Sequence, residues 1–252
     1  MKRIALVFFI FAILGTDVFS QNPDQLIKEA NEAYARSEYS YAIELYEQVL
    51  EQGFEASELH YNLGNAYFKN NRLGNAVLHY ERALRLDPAN ENILHNLQIT
   101  KNRLVDRTDE RPKLFYERWW QNIYMMQSAT GWGITSIILL FLLLSLTALY
   151  LFSRTRGVKK TSFYAAIFLM LLTVFSFIFA QKQYNRLTAD NEAVIMNPRV
   201  SAKSSPSPQS PDLFLVHEGT KVYVRSIIGE WYEIGLPDGN VGWVKKETLE
   251  VI

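Results

Sequence analysis

The side chains in this sequence that could move protons or hold a metal are four histidines, His60, His79, His95 and His217, and glutamates at 44, 47, 51, 55 and 58. Imidazoles make a metal or acid-base site when they converge, which on one helix requires spacings of three or four. No two of the histidines stand at that spacing, although His60 and His95 would meet if adjacent helices brought them together. The glutamates recur at intervals of three and four, the pattern of a solvated helix face. Cysteine is absent, which excludes disulfides, zinc-thiolate sites and thiol nucleophiles. Gly-Lys-Ser/Thr, Gly-x-Ser-x-Gly and His-Glu-x-x-His do not occur, so there is no phosphate loop, nucleophile elbow or zinc-protease helix. The expectation is a chain that is not an enzyme, with no catalytic residue, cofactor or metal.

The 252 residues are 48% hydrophobic, and 26 Lys+Arg balance 26 Asp+Glu. That excludes global disorder and leaves room for more than one domain. Residues 21–126 carry a net −4 and residues 187–252 a net −3. Neither offers the basic face that nucleic acid requires.

The apolar residues are concentrated in three segments. Residues 1–20 have Lys2 and Arg3 before the uncharged run Ile4–Leu14, then Val18-Phe19-Ser20; this is the pattern of an export signal, too short in its apolar part to span a bilayer. Residues 132–152 contain no charge, and at about 1.5 Å per residue they reach roughly 31 Å, the depth of a bilayer's hydrocarbon. Residues 163–180 are also uncharged. Between them, residues 153–162 hold Arg154, Arg156, Lys159 and Lys160 without an acid, which marks the cytoplasmic side. A transmembrane hairpin with both flanking parts on the outer side is the expectation, with 181–189 as a linker. Residues 105–131, rich in Trp119, Trp120 and Tyr124, are expected to form a juxtamembrane interfacial segment.

Residues 22–104 repeat with a period of 34. Ala42, Tyr46 and Leu50 recur as Ala76, Tyr80 and Leu84, and Asn62-Leu63 recurs as Asn96-Leu97. Apolar positions three and four apart predict amphipathic helices. Ser37-Glu38 and Asn70-Asn71-Arg72 break the pattern where turns belong. Leu63, Gly64, Tyr67, Ala76, Tyr80, Ala83 and Pro88 resemble the tetratricopeptide repeat family. The units are 23–56, 57–90 and a closing helix, 91–104. The resemblance implies all-α helical repeats that bind a partner protein's segment on the face formed by the first helices. The positions it points to are Asn31, Tyr34, Tyr61, Asn65, Phe68, Lys69 and His95. Two and a half units are few for a free-standing solenoid, so packing against a partner or the juxtamembrane segment is expected to supply the missing burial.

Residues 190–252 change character. Short β-prone runs at 192–196, 213–216, 221–225, 231–234 and 242–244 alternate with turn residues such as Gly229 and Asp238-Gly239, predicting a small all-β barrel. Ser204–Pro211 reads as a long loop within it. Glu218-Gly-Thr, Gly229-Glu-Trp-Tyr and Gly242-Trp-Val resemble the bacterial SH3-like domains, which implies contact residues among Trp231, Tyr232 and Trp243 and a protein or peptidoglycan ligand.

The fold class expected is a multidomain membrane protein of helical repeats, a transmembrane hairpin and a small SH3-like barrel. That order, with ENILHNLQITKNRLVDR and RWWQNIY, resembles the E-type proteins of the Bacteroides aerotolerance (Bat) operons. The resemblance implies an inner-membrane scaffold with its repeats and its β-domain in the periplasm. It also implies partners among von Willebrand A-domain membrane proteins and a MoxR-type ATPase system. The alternative is an envelope-anchoring module whose β-domain binds peptidoglycan.

Overall fold

The computed structural model describes residues 22–106, 114–189 and 191–252; the export signal expected at 1–20 lies outside them. The chain divides into two compact units, with the boundary between Glu55 and Ala56.

The first unit is a helix pair, α1 (Pro23–Ala35) and α2 (Tyr39–Glu51). Asn22 caps α1 by accepting the Asp24 N–H at 3.1 Å, and Pro23 occupies the first helical position, where no N–H is needed. Leu26, Ala30 and Ala33 on α1 and Ala42, Tyr46 and Val49 on α2 are buried, each set at helical spacing. After α1, Ser37 adopts the left-handed conformation at φ 63°. Its N–H bonds the Tyr34 carbonyl, and the Glu38 N–H bonds that of Ala33. These two bonds close the helix and satisfy its last carbonyls. At the equivalent place in the next repeat, Asn71 stands at φ 60° and makes the same closure on Phe68 and Tyr67. The repeat therefore extends to the backbone of its turns.

The second unit opens with α3 (Ser57–Lys69), α4 (Leu73–Leu86) and α5 (Glu91–Lys101). Gly64 lets α3 and α4 approach: a Cβ there would lie 2.8 Å from the Tyr80 ring. Every residue of α4 from Ala76 to Tyr80 is buried, as are Gly74, Glu81, Ala83 and Leu84. A helix buried on all sides needs cover on two faces. One is given by the neighbouring helices and the other by the C-terminal strands.

Those strands are β1 (Glu192–Ile195), β2 (Arg199–Lys203), β3 (Asp212–His217), β4 (Lys221–Ile228), β5 (Trp231–Gly235), β6 (Val241–Lys245) and β7 (Leu249–Val251). They form one antiparallel sheet in the order β3-β2-β6-β5-β4-β1-β7. Alternate residues such as Val200, Ala202, Tyr232, Ile234 and Val244 build its core. β2 and β7 are additional to the five β-prone runs; β2 contains Ser and Ala, and pairing with β3 rather than propensity holds it extended. The Ser/Pro-rich run is the β2–β3 loop, spanned by Lys203, which donates to the Ser210 carbonyl at 3.1 Å and pairs with Asp212 at 2.9 Å. Gly229 (φ 56°) and Gly239 (φ 96°) turn the next two hairpins.

Polar contacts fasten the sheet along α4. At the helix start, Arg72 provides no side-chain cap, and Glu218 accepts the Gly74 N–H at 3.0 Å instead. A cap is thus supplied from the distant β3–β4 turn, and its charge suits the helix N-terminus. Glu218→Ala is expected to lower stability by about 1 kcal/mol, read as a shift in the urea midpoint. Further along, Arg82 donates to Glu250 at 2.9 Å and to the Val251 carbonyl at 2.8 Å. Arg85 donates to the carbonyls of Leu187, Ala189 and Ile252. Asp106, beyond α5, accepts from the His217 N–H at 2.7 Å and the Thr220 hydroxyl at 2.8 Å. Partial burial works against its charge, but these donors outweigh it and keep the carboxyl below its ordinary range.

Between these two parts of the unit come α6 (Phe115–Met125), α7 (Ala129–Phe152) and α8 (Arg156–Thr188). Among the described residues, α7 and α8 are the helices long and apolar enough to cross a membrane. They pack along each other, and Ser136 donates to Ser176 at 3.0 Å across the contact. Two expected boundaries differ. The connection expected at 153–162 is confined to Ser153–Thr155, and the linker expected at 181–189 is mostly helix, because α8 runs from Arg156 to Thr188. Arg, Lys, Gln and Leu are good helix formers, and no Pro or internal Gly stops the helix where the apolar residues end.

Candidate functional site

The repeat places one side-chain bond twice. Tyr46 Oη donates to Asn31 Oδ1 at 2.5 Å, and 34 residues later Tyr80 Oη donates to Asn65 Oδ1 at 2.7 Å. Each asparagine on a first helix is thereby oriented by a buried tyrosine on the second. Burial, and then the neighbouring Tyr34, push the Tyr46 phenol up to about 12, so it remains a donor at any physiological pH. The repeated tyrosine was visible as an apolar position; its hydroxyl's role in holding the asparagine was not.

In the second unit, Asn96 of α5 donates to Asn65 Oδ1 at 2.8 Å and to the Tyr61 hydroxyl at 3.1 Å. Tyr61, Asn65 and Asn96 therefore form one connected surface across α3 and α5. Phe68 continues it, with the Arg103 guanidinium 5.0 Å above its ring and bonded to Asn71 at 3.1 Å. Lys69 and His95 are exposed. Asn31 and Tyr34 lie on α1 in the first unit, where Asn31 is exposed and Tyr34 packs edge-on against Tyr39 at 5.4 Å. With Asn65 Oδ1 already accepting two bonds, that site offers amide donors, aromatic faces and cations to a ligand.

In the sheet, Trp231 and Trp243 belong together and Tyr232 does not. Glu233 pairs with Trp243 and Trp231 with Lys245, so both indoles project from the same face of β5–β6 as diagonal neighbours. Both are half-buried. Tyr232, expected among the contact residues, is only 8% exposed and belongs to the core cluster. The two-residue period of the strand sends it inward with Ile234.

The histidines also assort differently. His60 meets His79 rather than His95: their Nδ1 atoms are 3.1 Å apart, one donating to the other, and both rings are buried. Tyr67 stacks on His79 with centroids 5.3 Å apart. Burial, with Arg82 nearby, pushes His60 down to about 4. Burial, His60 and Arg82 hold His79 well below its ordinary value. Two neutral rings beside a guanidinium make a packed pair, not a cation site. No group of three or more His, Asp or Glu that could hold a metal occurs among the described residues.

Glu81 was not distinguished from the helix-surface acids by its spacing, yet its side chain is 6% exposed. It accepts from Lys101 of α5 at 2.8 Å and from Lys221 of β4 at 2.9 Å, and Lys221 also pairs with Glu192 at 2.8 Å. Burial alone would raise the Glu81 carboxyl; Lys221 and Lys101 outweigh it and hold it at about 2. This cluster joins repeat to sheet and uses its charges internally.

No curated protein matches the chain significantly. A solved structure, the Sgt2 TPR domain from Aspergillus fumigatus, is 31% identical over 32% of this chain and 53% of its own, with a TM-score of 0.30. This chain thus spans about half the length of that domain. Residues 27–91 match the tetratricopeptide repeat family, a non-catalytic module that binds protein partners.

Proposed function

We propose that this chain is a non-enzymatic inner-membrane scaffold of the aerotolerance (Bat) type. In this reading its repeats bind a segment of a partner protein, and its seven-stranded sheet, as an SH3-like domain, binds a second. The observation that carries it is the connected Tyr61–Asn65–Asn96 surface, whose Tyr61 and Asn65 lie inside residues that match a protein-binding repeat. The contacts of α4 and Asp106 with the sheet favour both parts lying on one side of the bilayer. Two crossings, by α7 and α8, meet that requirement. The expected export signal and the basic residues between the spans support the periplasm as that side. Von Willebrand A-domain membrane proteins and a MoxR-type ATPase system are the partners that the architecture suggests.

The test should spare Asn65, because losing it would also strand the Tyr80 hydroxyl. Lys69→Glu combined with His95→Glu reverses or adds charge only at exposed positions. Crosslinking in intact cells, followed by mild-detergent purification, should recover a specific membrane protein with the wild type. The variant should recover it at least about tenfold less well, equivalent to roughly 1.4 kcal/mol, at unchanged abundance. Equal recovery would rule out the α3–α5 surface.

A further inference from the structure

We infer that α6 is a third membrane element, lying along the boundary between lipid headgroups and acyl chains while one side of it packs on the hairpin. This rests on α7 and α8 crossing the bilayer. On α6, Phe115, Trp119, Ile123 and Met126 follow one another at intervals of four, four and three, with Tyr116 and Trp120 in the adjoining row. Glu117, Arg118, Gln121 and Asn122 occupy the opposite arc, so the helix is amphipathic. Only part of the apolar arc has a protein partner. Trp120 sits edge-on to Phe179 and Phe175 of α8, with centroids at 5.2 and 6.4 Å. Phe115 and Trp119 remain 79% and 64% exposed.

The level of α6 identifies what covers the rest. The apolar run of α8 ends at Ala180, before Gln181-Lys182-Gln183. Phe179 and Phe175 precede that end by one and five residues, so they lie about 1.5 and 8 Å deeper along the axis. Trp120 therefore meets the hydrocarbon end of the span. Tyr124, one turn on, meets its polar end: its ring lies under Lys182 Nζ at 4.2 Å, and its carbonyl accepts from Gln183 and from Trp132 Nε1, each at 2.9 Å. A helix fixed across that transition exposes its remaining apolar arc to the lipid surrounding α7 and α8, with which that arc is continuous. Arg118 and Lys182 are both exposed, and their long side chains can reach toward phosphate headgroups. Indole and phenol rings with a polar tip suit this zone.

The test uses the full-length protein in phosphatidylcholine vesicles brominated near the carbonyl end of the acyl chains. The emission due to Trp119 is obtained by difference from Trp119→Phe. Flotation of the vesicles after an alkaline wash reports separately whether the hairpin is inserted. Retention with roughly half of the Trp119 emission quenched is expected for a residue at this depth. Retention with Trp119 unquenched by bromine but quenched by aqueous iodide would overturn the inference and leave the hairpin standing. Loss of the protein from the floated vesicles would overturn the hairpin, and the placement of α6 with it.

Discussion

Replacing Glu81 with alanine is expected to lower the stability of the second unit by about 3–5 kcal/mol, the usual result of stranding a buried charge. Lys101, 35% exposed, can turn to water, whereas Lys221 at 15% cannot. Glu192 neutralises only part of what is left. Replacing both Glu81 and Lys221 by apolar residues of similar volume should therefore restore much of the loss, because it removes the unpaired ammonium as well. The sign with pH follows from the depressed carboxyl. Its folded value, about 2, lies below the unfolded value near 4.5. The contribution is complete above pH 4.5 and is lost as pH falls toward 2. Urea midpoints of wild type, Glu81→Ala and the double variant at pH 7 and pH 3 would check this. A single variant with an unchanged midpoint at pH 7 would mean that the cluster is no stronger than a surface pair.

The second large effect is a separate acid limb. Burial pushes His60 down to about 4 in the folded protein against 6.5 unfolded, and burial also holds His79 well below its ordinary value. Between those values the unfolded chain binds more protons, so stability is complete above pH 6.5 and falls as pH drops toward 4. The loss should reach on the order of 2 kcal/mol by pH 4.5. Arg82 adds to it by opposing any positive charge on either ring. A His60→Phe, His79→Phe variant keeps two stacked rings between α3 and α4 and removes both titrating groups. Its midpoint should be nearly flat from pH 7 to pH 5 while that of the wild type declines. Parallel decline would place the sensitivity elsewhere.

What could be read from the sequence was whatever is local or periodic. The 34-residue displacement located α1 to α5, and charge-free runs located the apolar parts of α7 and α8. The turn at Asn70-Asn71-Arg72 was legible from its residue types, though its left-handed backbone was not. Side-chain partners on different elements were not legible. Adjacent repeat helices could have brought His60 to His95; its actual partner, His79 on the second helix of its own repeat, depends on which way two imidazoles turn inside a packed pair. Glu81 looked like any helix acid, because the lysine that distinguishes it lies 140 residues away and no periodicity connects them. Strand alternation is enough to put Tyr232 inward with Ile234, whatever the aromatic content of its motif implies. The burial needed by a short repeat array was anticipated, but not that the chain's own sheet supplies it.

The sheet's cover on α4 also sets the order in which the molecule can be completed. Lys221 emerges from the ribosome 140 residues after Glu81, which at roughly 5–20 residues per second is about 7–28 s. Throughout that interval α4 lacks its outer packing, the cap from Glu218 and the neutralising ammonium on Glu81. Both long apolar helices and the strands after them must be made before the repeat can close. Until the strands dock, α4 stays uncovered and presents the Glu81 carboxylate and apolar surface to proteases and chaperones. In the proposed reading, the placement of α7 and α8 is thereby coupled to the folding of α4.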